Sequence, residues 1–560
     1  MEWIRQTFKA APELALFLAL FLGHAIGRFK FKSFSLGGVA GSLLVALVIG
    51  QIGIDLPEAL KAVCFALFIY SVGFQSGPEF FGRLDRSSLK LVMSSVFQCV
   101  VALISIIIIA KICGFNKGYA VGMGAGALTQ TAMMGTAGDA LNRLGLSAAD
   151  TTNLTSEMAV AFAITYVFGT VGVIVFLRSI APRLLGTDVK KAARELEAEL
   201  SEGGEVKRPG YISPFVPVVA RAFVVQQAAS KTVAEISQRF DRASVERILR
   251  DNTVIEVKPD FVLKPEDIIA VTGRLASVVA AGDVIGPEVE NKEALSFSIE
   301  VANVVVTNKK IIGKTLGEIR KDVGTRNIEA VYLVSIKRQG LAIPILINTV
   351  VQRGDVAQLA GRPGEVHKAA DIIGRSEPTG AKSDLAYHAL GIVVGILVGL
   401  ITVTVGGIPI TLGIGGGVLV VGLCFGWFHA RYPVFGTLPP AAQWILSEFG
   451  LSAFAAIIGL TAGPKALAAI QQQGLILLVA GVILTLVPIV ATLYFGRFIL
   501  KLHPVVLLGA LSGGQTVAAS LNAVNEATDS MTPVLGFTVA YAISNVLLAV
   551  WGPLIVAIVK

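Results

Sequence analysis

The chain is short of charge. Aspartate, glutamate, lysine and arginine make up 15% of its 560 residues, where soluble domains carry roughly 25%. That deficit excludes an ordinary water-soluble fold, and 54% hydrophobic residues with a mean hydropathy of +0.72 point to an integral membrane protein. Cysteine is scarce as well. Cys64, Cys99, Cys113 and Cys424 lie far apart, in or beside apolar segments, without the paired spacing of a disulfide framework or zinc site. They are expected to be small buried hydrophobes. The sequence has no Walker motif, no dinucleotide fingerprint after a strand, no histidine–acid metal cluster and no nucleophile elbow. ATP-driven pumping within this chain is therefore not expected, nor is an enzyme, a metal or a cofactor. A potassium-filter sequence of the Thr-Val-Gly-Tyr-Gly kind is also missing. No small-residue cleavage site follows the first apolar run, so that run is expected to stay as a helix.

What is present is a series of apolar segments near the roughly 20 residues that span a bilayer. Six fall at 12–26, 36–54, 60–74, 89–112, 118–138 and 158–177. A hydrophilic stretch runs from about 178 to 384. Six more fall at 387–405, 412–428, 444–462, 474–494, 504–525 and 534–559. The two halves resemble each other in order. Leu36-Gly37 through Gly41 to Gly50 matches Leu412-Gly413 through Gly417 to Gly426. Gly73-x-x-x-Gly77-Pro78 matches Gly459-x-x-x-Gly463-Pro464. Gln130-Thr131 matches Gln515-Thr516, and Tyr166 pairs with Tyr541.

Basic loops orient the chain. Arg28, Lys30 and Lys32 follow the first segment, Arg83, Arg86 and Lys90 the third, and Arg178, Arg183, Lys190 and Lys191 the sixth. His429, Arg431, Arg497 and Lys501 follow the corresponding segments of the second half. With all of these in the cytoplasm, and both termini outside, the fifth segment of each half must enter and leave on one face. The expected fold is an α-helical polytopic membrane protein with an inverted 5+5 repeat and re-entrant or broken fifth elements. The net charge of +8 is explained by these loops, and no nucleic-acid partner is expected.

The hydrophilic insert also repeats. Lys231-Thr232-Val233-Ala234-Glu235-Ile236 matches Lys314-Thr315-Leu316-Gly317-Glu318-Ile319, and Asp267-Ile268 to Gly273 matches Asp355-Val356 to Gly361. Each unit reads as a strand, a short helix after Lys-Thr, a hairpin and a final strand after the aspartate. Arg250-Asp251-Asn252 and Arg338-Gln339-Gly340 are the turn signals. The expected divisions are a membrane repeat at 1–183, a charged linker helix at 184–207, small α/β units at 208–290 and 291–376, and a second membrane repeat at 384–560.

Chemistry is expected where polar groups interrupt the apolar fifth segments. Thr129, Gln130, Thr131, Ser512, Gln515 and Thr516 can donate hydrogen bonds to a carboxylate, and Gly513 and Gly514 let backbone amides approach a ligand. Half-helix N-termini there add positive partial charge. Two such interruptions at corresponding places mark a transporter's substrate site. Asp139, Arg143, Glu526 and Asp529 are expected at water-exposed ends. Glu157 is expected to act as a first-turn helix acid, and His24 as a packed or interfacial histidine with a proton or substrate role as the alternative. Gly77-Pro78 and Gly463-Pro464 are expected to break helices, either as hinges or as last turns.

The chain resembles the aspartate–alanine exchanger family of bacterial secondary transporters. The residues that carry the likeness are Gly73-x-x-x-Gly77-Pro78, Leu511-Ser512-Gly513-Gly514-Gln515-Thr516, Lys314-Thr315-Leu316-Gly317-Glu318-Ile319 and Ala540-Tyr541-Ala542-Ile543-Ser544-Asn545. The arrangement of apolar half, two tandem RCK C-terminal (TrkA-C type) domains and apolar half carries it further. The resemblance implies an electrogenic antiporter exchanging aspartate for alanine, an elevator-like movement, a homodimer in the bacterial inner membrane, and cytoplasmic RCK-C-type domains open to a small regulatory ligand. A succinate-like dicarboxylate exchanger and an RCK-regulated ion channel are the alternatives. The first tip, Ala127-Leu128-Thr129-Gln130-Thr131, lacks the paired glycines of the second.

Overall fold

The computed structural model describes every residue except 1, 29, 32–33, 36, 55, 82–85, 201–217, 240–242, 298, 325–330, 339, 377–381, 406–407 and 433. The expectations for Lys32, Leu36, Arg83, Gln339 and the linker beyond Leu200 lie outside the described residues. Two compact units form, one from 1–197 with 380–560 and one from 198–379.

The first part of the membrane unit contains α1 (Glu2–Ala10), α2 (Pro12–Gly27), α3 (Gly38–Ile49), α4 (Glu58–Phe80), α5 (Arg86–Cys113), α6 (Lys117–Ala127), α7 (Thr131–Asn142), α8 (Ala148–Val175), α9 (Ala181–Leu184) and α10 (Val189–Leu200), with a hairpin of β1 (Lys30–Phe31) and β2 (Phe34–Ser35) between α2 and α3. The insert contains α11 (Val233–Ser237), α12 (Leu275–Ile285), α13 (Leu316–Gly324) and α14 (Pro363–Ile373). The second membrane part contains α15 (Leu385–Leu400), α16 (Gly413–Arg431), α17 (Pro440–Tyr494), α18 (Pro504–Gly514), α19 (Ala518–Thr528) and α20 (Val534–Ile558). Among the described residues, six helical stretches are long and apolar enough to cross a membrane, and the chain is a multi-pass membrane protein.

Three segment boundaries differ from the sequence reading. The 387–405 segment stops at Leu400. Thr402–Val405 instead pairs with Ile408–Thr411 as a hairpin, the counterpart of β1–β2. Apart from Pro409, both arms are β-branched, which suits a pleated ribbon better than a helix. The 444–462 and 474–494 segments are one continuous helix, α17. Gln471-Gln472-Gln473 is polar enough to end an apolar run, but glutamine is a good helix former and no turn residue intervenes. Gly463-Pro464 does not break α17, and Gly77-Pro78 lies inside α4, three residues or fewer from its end. A proline is tolerated in a membrane helix when neighbours satisfy the freed backbone groups. Beside Pro464, Gln51 Nε2 donates to the Gly463 carbonyl and ties the loop after α3 to α17.

Glycines set the packing. Gly73 and Gly77 of α4 lie against α16, where a Cβ would meet the backbone of Leu419 and Leu423. Gly459 of α17 lies against Leu43 of α3, and Gly463 against Gly50 just past its end, in the reciprocal manner. Backbones at this distance gain dispersion contacts that larger side chains would prevent. Cys64 and Cys99 are buried as expected, but Cys424 is exposed on the outer face of α16.

In the insert, the two sheets have the same strand order. The first is β5 (Thr253–Ile255), β4 (Ala243–Arg250), β6 (Ile268–Arg274), β3 (Val218–Val224) and β7 (Glu288–Val289). The second is β10 (Leu341–Ala342), β9 (Val331–Arg338), β11 (Val356–Gly361), β8 (Glu300–Val306) and β12 (Gly374–Ser376). The final strand after the aspartate is followed by a further helix and edge strand, α12–β7 and α14–β12, which the sequence reading lacked. Thr232 caps α11 through a capping box with Glu235, and Thr315 and Glu318 repeat it at α13. The repeated aspartates have a structural task. Asp267 takes a bidentate pair from Arg250 at 2.8 and 2.7 Å, and Asp355 takes one from Arg338 at 2.8 and 2.8 Å. Asp251 and Asn252 turn the first hairpin with φ of 50° and 57°, the left-handed geometry that tight hairpins require.

Candidate functional site: two helical tips in contact

The 118–138 segment is two short helices, α6 and α7, joined at Leu128–Gln130. The 504–525 segment is likewise α18 and α19, joined at Gln515–Val517. Helices of 11 residues are about 16 Å long, roughly half a bilayer core. Asn116 caps α6 by accepting from the Tyr119 N–H at 3.1 Å, and His503 holds the corresponding place before α18. α8 packs its first half on α6, and the turn that continues past its end carries Arg178 to Glu526 of α19, 3.4 Å away. α20 does the converse. It packs first on α18, then accepts from Thr136 of α7 at the Ala549 carbonyl (2.6 Å) and from Lys117 at the Val556 carbonyl (2.8 Å).

Both tips turn by the same device. Thr129 and Thr516 adopt the left-handed conformation with φ of 52° and 56°, uncommon for a β-branched residue. The N–H of Thr129 donates to Gly126 and that of Thr516 to Gly513; the next N–H, of Gln130 or Val517, reaches back to Ala125 or Ser512. The strain is offset across the junction. Thr129 Oγ1 donates to the Gln515 carbonyl at 3.0 Å, and Thr516 Oγ1 donates to the Leu128 carbonyl at 3.1 Å. The two hydroxyls lie 3.3 Å apart. Each hydroxyl thus satisfies a carbonyl at the end of the other half-helix, where the helix itself leaves carbonyls unpaired.

The reciprocal bonds correct the register read from sequence. Thr129 corresponds to Thr516, and Gln130 to Val517, not Gln130 to Gln515. The glycines agree. A Cβ on Gly126 would meet the Phe162 carbonyl and the Tyr166 N–H, and one on Gly513 would meet the Phe537 carbonyl and the Tyr541 N–H. Tyr166 and Tyr541 therefore hold equivalent places, as the sequence pairing has it.

Of the expected donors, the structure brings together the hydroxyls of Thr129 and Thr516, with the Gln515 backbone carbonyl between the tips, and directs the other side chains to separate partners. Thr131 is the buried first residue of α7. Ser512 bonds the Val517 carbonyl and Ser520 beneath the second tip. Gly514 sits against the side chain of Gln98. Gln130 donates through Nε2 to Asn545 at 3.0 Å. Gln515 donates through Nε2 to the Thr485 carbonyl at 3.4 Å and keeps its Oε1 unpaired while fully buried. Neither α7 nor α19 has a side-chain cap, so the N–H groups of their first two residues have no side-chain partner. Ala518 and Ala519 are exposed at the start of α19, whereas Thr131 and Ala132 at the start of α7 are buried.

Sequence reasoning missed Gln98, Asn545 and Thr485. Gln98, on α5, is 1% exposed, and its Nε2 has no hydrogen-bond partner. Thr485, on α17, donates to the Ala127 carbonyl at 3.2 Å. Ala127 precedes the first tip as Gly514 precedes the second, so Gln98·Gly514 and Thr485·Ala127 are counterparts. The signal for Gln98 was its own position: a carboxamide in the middle of an otherwise apolar helix.

The flanking charges also differ from expectation. Asp139 caps a helix, accepting the Gly415 N–H near the start of α16 at 2.8 Å. Glu157 is not in a first turn, because Ser147 starts α8 much earlier. Glu157 accepts from Asn116 at 2.7 Å and ties α8 to the start of α6. Arg143 and Glu526 are exposed, as expected of helix ends.

Two family models match the chain. One, described as Predicted Permease Membrane Region (Asp-Al_Ex), matches residues 15–182 and 387–557; a TrkA-C domain model matches residues 301–374. An uncharacterized transporter of Zymomonas mobilis is 38% identical over 559 residues, covering 100% of this chain and 99% of the relative. One from Bradyrhizobium diazoefficiens is 38% identical over 560 residues, with 100% and 99% coverage. One from Bordetella parapertussis is 38% identical over 567 residues, with 100% and 98% coverage. No solved structure matches the chain. The paired half-helices fall inside the two permease stretches and the TrkA-C match covers nearly all of the second sheet of the insert, so the chain belongs to the Asp-Al_Ex permease family and carries a TrkA-C domain between its membrane halves.

Proposed function

We propose that this protein is a secondary exchanger of acidic amino acids or related carboxylates, working as an electrogenic aspartate–alanine antiporter. The observation that carries the reading is the reciprocal pair of tips, with each threonine hydroxyl on the other half's carbonyl. Such a junction lies where half-helices from two inverted repeats end together, and there a transporter binds its substrate. The relatives, named as transporters over their full length, support the same class. Uncapped N–H groups at α19, the Gln515 carboxamide and the Gln98 carboxamide supply uncharged donors for a carboxylate, without a buried cation. The threonine hydroxyls are engaged with carbonyls in this state. Substrate entry between the tips would exchange those bonds for bonds to the ligand.

In this reading the repeats are inverted 5+5, the helices around the tips move as a body against a scaffold in an elevator-like cycle, and the protein is a homodimer of the bacterial inner membrane. The termini lie outside and the insert in the cytoplasm, its two like-ordered sheets serving as tandem RCK-C-type modules. Counterflow in proteoliposomes tests the function. Labelled aspartate is expected to enter vesicles loaded with alanine or aspartate and not empty ones. Uptake indifferent to the internal load would remove exchange, and single-channel currents would favour an ion pathway. Succinate in place of aspartate distinguishes the dicarboxylate reading, and thermal stabilisation by each compound ranks them.

A further inference from the structure

Away from the tips, the membrane unit holds a histidine–carboxylate pair. His24 of α2 places Nε2 3.7 Å from Oε1 of Glu448 on α17, with side chains 30% and 31% exposed. Its other nitrogen, Nδ1, lies 3.1 Å from the Leu20 carbonyl and 3.3 Å from the Ser42 hydroxyl of α3. Gly38 leaves room for the ring, since a Cβ there would press on the imidazole.

The other half lacks this cluster. Gly23 faces Ser42 as Gly395 faces Val418, and Gly27 faces Gly37 as Gly399 faces Gly413. On that correspondence His24 falls on Ile396, Gly38 on Ile414 and Ser42 on Val418. Gly459 and Gly463 match Gly73 and Gly77, which places Glu448 on Ala62. Four positions that are apolar in one half are polar or vacated for a polar ring in the other, so helix packing does not require the cluster. Ionisable groups on membrane helices are costly and are kept for function.

We propose that His24 and Glu448 form a proton-binding site that couples proton movement to the transport cycle. A carbonyl and a carboxylate are acceptors only. The Leu20 carbonyl at Nδ1 and Glu448 at Nε2 give each ring N–H an acceptor, and the Ser42 hydroxyl at Nδ1 can donate to that nitrogen when it is bare, so the pocket has partners for the ring with and without the extra proton. Losing a proton from the pair leaves one acceptor unmatched and changes the contact of α2 with α17. The groups around the pair are Ser42 and Gly38 from α3, the Leu20 carbonyl from α2, and Tyr166 of α8 within electrostatic reach of Glu448. The Tyr166 N–H lies against Gly126 below the first tip, so a change at the pair has a short route to the junction.

The inference rests on transport, not on which carboxylate is carried. Purified protein is reconstituted in vesicles containing pyranine, with the potential clamped, and aspartate and then succinate are added. In the wild type, substrate entry is expected to move protons; in His24→Gln and Glu448→Gln the proton signal is lost while counterflow persists. Wild-type substrate movement without protons, or an unchanged proton signal in both variants, would overturn the proposal. Infrared titration of the detergent-solubilised protein supplies an arm that needs no substrate. A protonated-carboxyl band is expected that titrates in the wild type, is missing in Glu448→Gln and shifts in its titration in His24→Gln. Identical spectra for wild type and Glu448→Gln overturn the site. If neither carboxylate moves, the transport reading fails and the infrared arm still decides the proton site.

Discussion

The two tips share a backbone and differ in side chains. In both, a threonine in the left-handed region closes the turn and bonds the opposite half's carbonyl. Behind the first tip stand Ala127 and a threonine whose hydroxyl is already used, Thr485. Behind the second stand Gly514 and a longer carboxamide, Gln98, with a spare donor. The first tip's glutamine is tied to Asn545, while the second tip's glutamine keeps a free carbonyl oxygen. The first helix start is buried and the second is exposed. Shared backbone and unshared chemistry separate two features: the common device joins the halves, and the second tip holds the surplus of unpaired hydrogen-bonding groups, the groups to which the proposed function assigns the ligand.

The harshest test of the shared device is to separate hairpin from long helix. Gly122→Leu places a side chain on the Met158 carbonyl, and Gly509→Leu places one on the Pro533 carbonyl. Each is expected to cost about 3 kcal/mol or more and to abolish a monodisperse peak in size-exclusion chromatography. If only one does so, the hairpins are not equivalent as structure.

The contrast behind the tips is sharpened by exchange. Gly514→Ala is expected to force Gln98 aside and to cut transport by about tenfold, a loss of about 1.4 kcal/mol in transition-state or substrate contacts. Adding Gln98→Thr recreates the Thr485·Ala127 arrangement and should restore folding stability without restoring substrate affinity. Restored affinity would show that Gln98 only fills space.

Removing the two tip glutamines separates binding from architecture. Gln515→Ala is expected to weaken the apparent affinity for aspartate severalfold with little change in thermal stability. Gln130→Ala, which strands the buried Asn545 acceptor, should lower stability by about 1 kcal/mol. Equal affinity losses would make the tips chemical equals. The smallest effects belong to Thr129→Val and Thr516→Val, each expected to cost about 1 kcal/mol of stability. Because the hydroxyls are neighbours, the double variant should fall short of the sum.

Much of this was legible in the residues. Glycine spacing exposed the likeness of the halves, loop charge singled out the fifth segments, and Lys-Thr with a glutamate three positions on marked two capped helices. Other features were hidden for physical reasons. The Gln130·Gln515 alignment failed because similar residue types are not equivalent positions; the tip register depends on which carbonyl a threonine reaches. Gly463-Pro464 read as a break because a proline's local cost is visible in sequence, whereas the contacts of Gly463 with Gly50 and Gln51 join residues about 400 positions apart. Glu157 read as a helix-start acid because nothing near it names Asn116.

Composition and local pattern alone determined that the chain crosses a membrane many times, that its apolar halves are alike and that an α/β insert divides them. These follow from hydropathy, turn chemistry and periodicity, which act over a few residues. Tertiary structure decided which groups meet: Thr129 with Gln515, Thr516 with Leu128, Gln98 with Gly514, His24 with Glu448. Those meetings join segments tens to hundreds of residues apart, and only the packing of helix on helix brings them within the few ångströms over which hydrogen bonds and charges act.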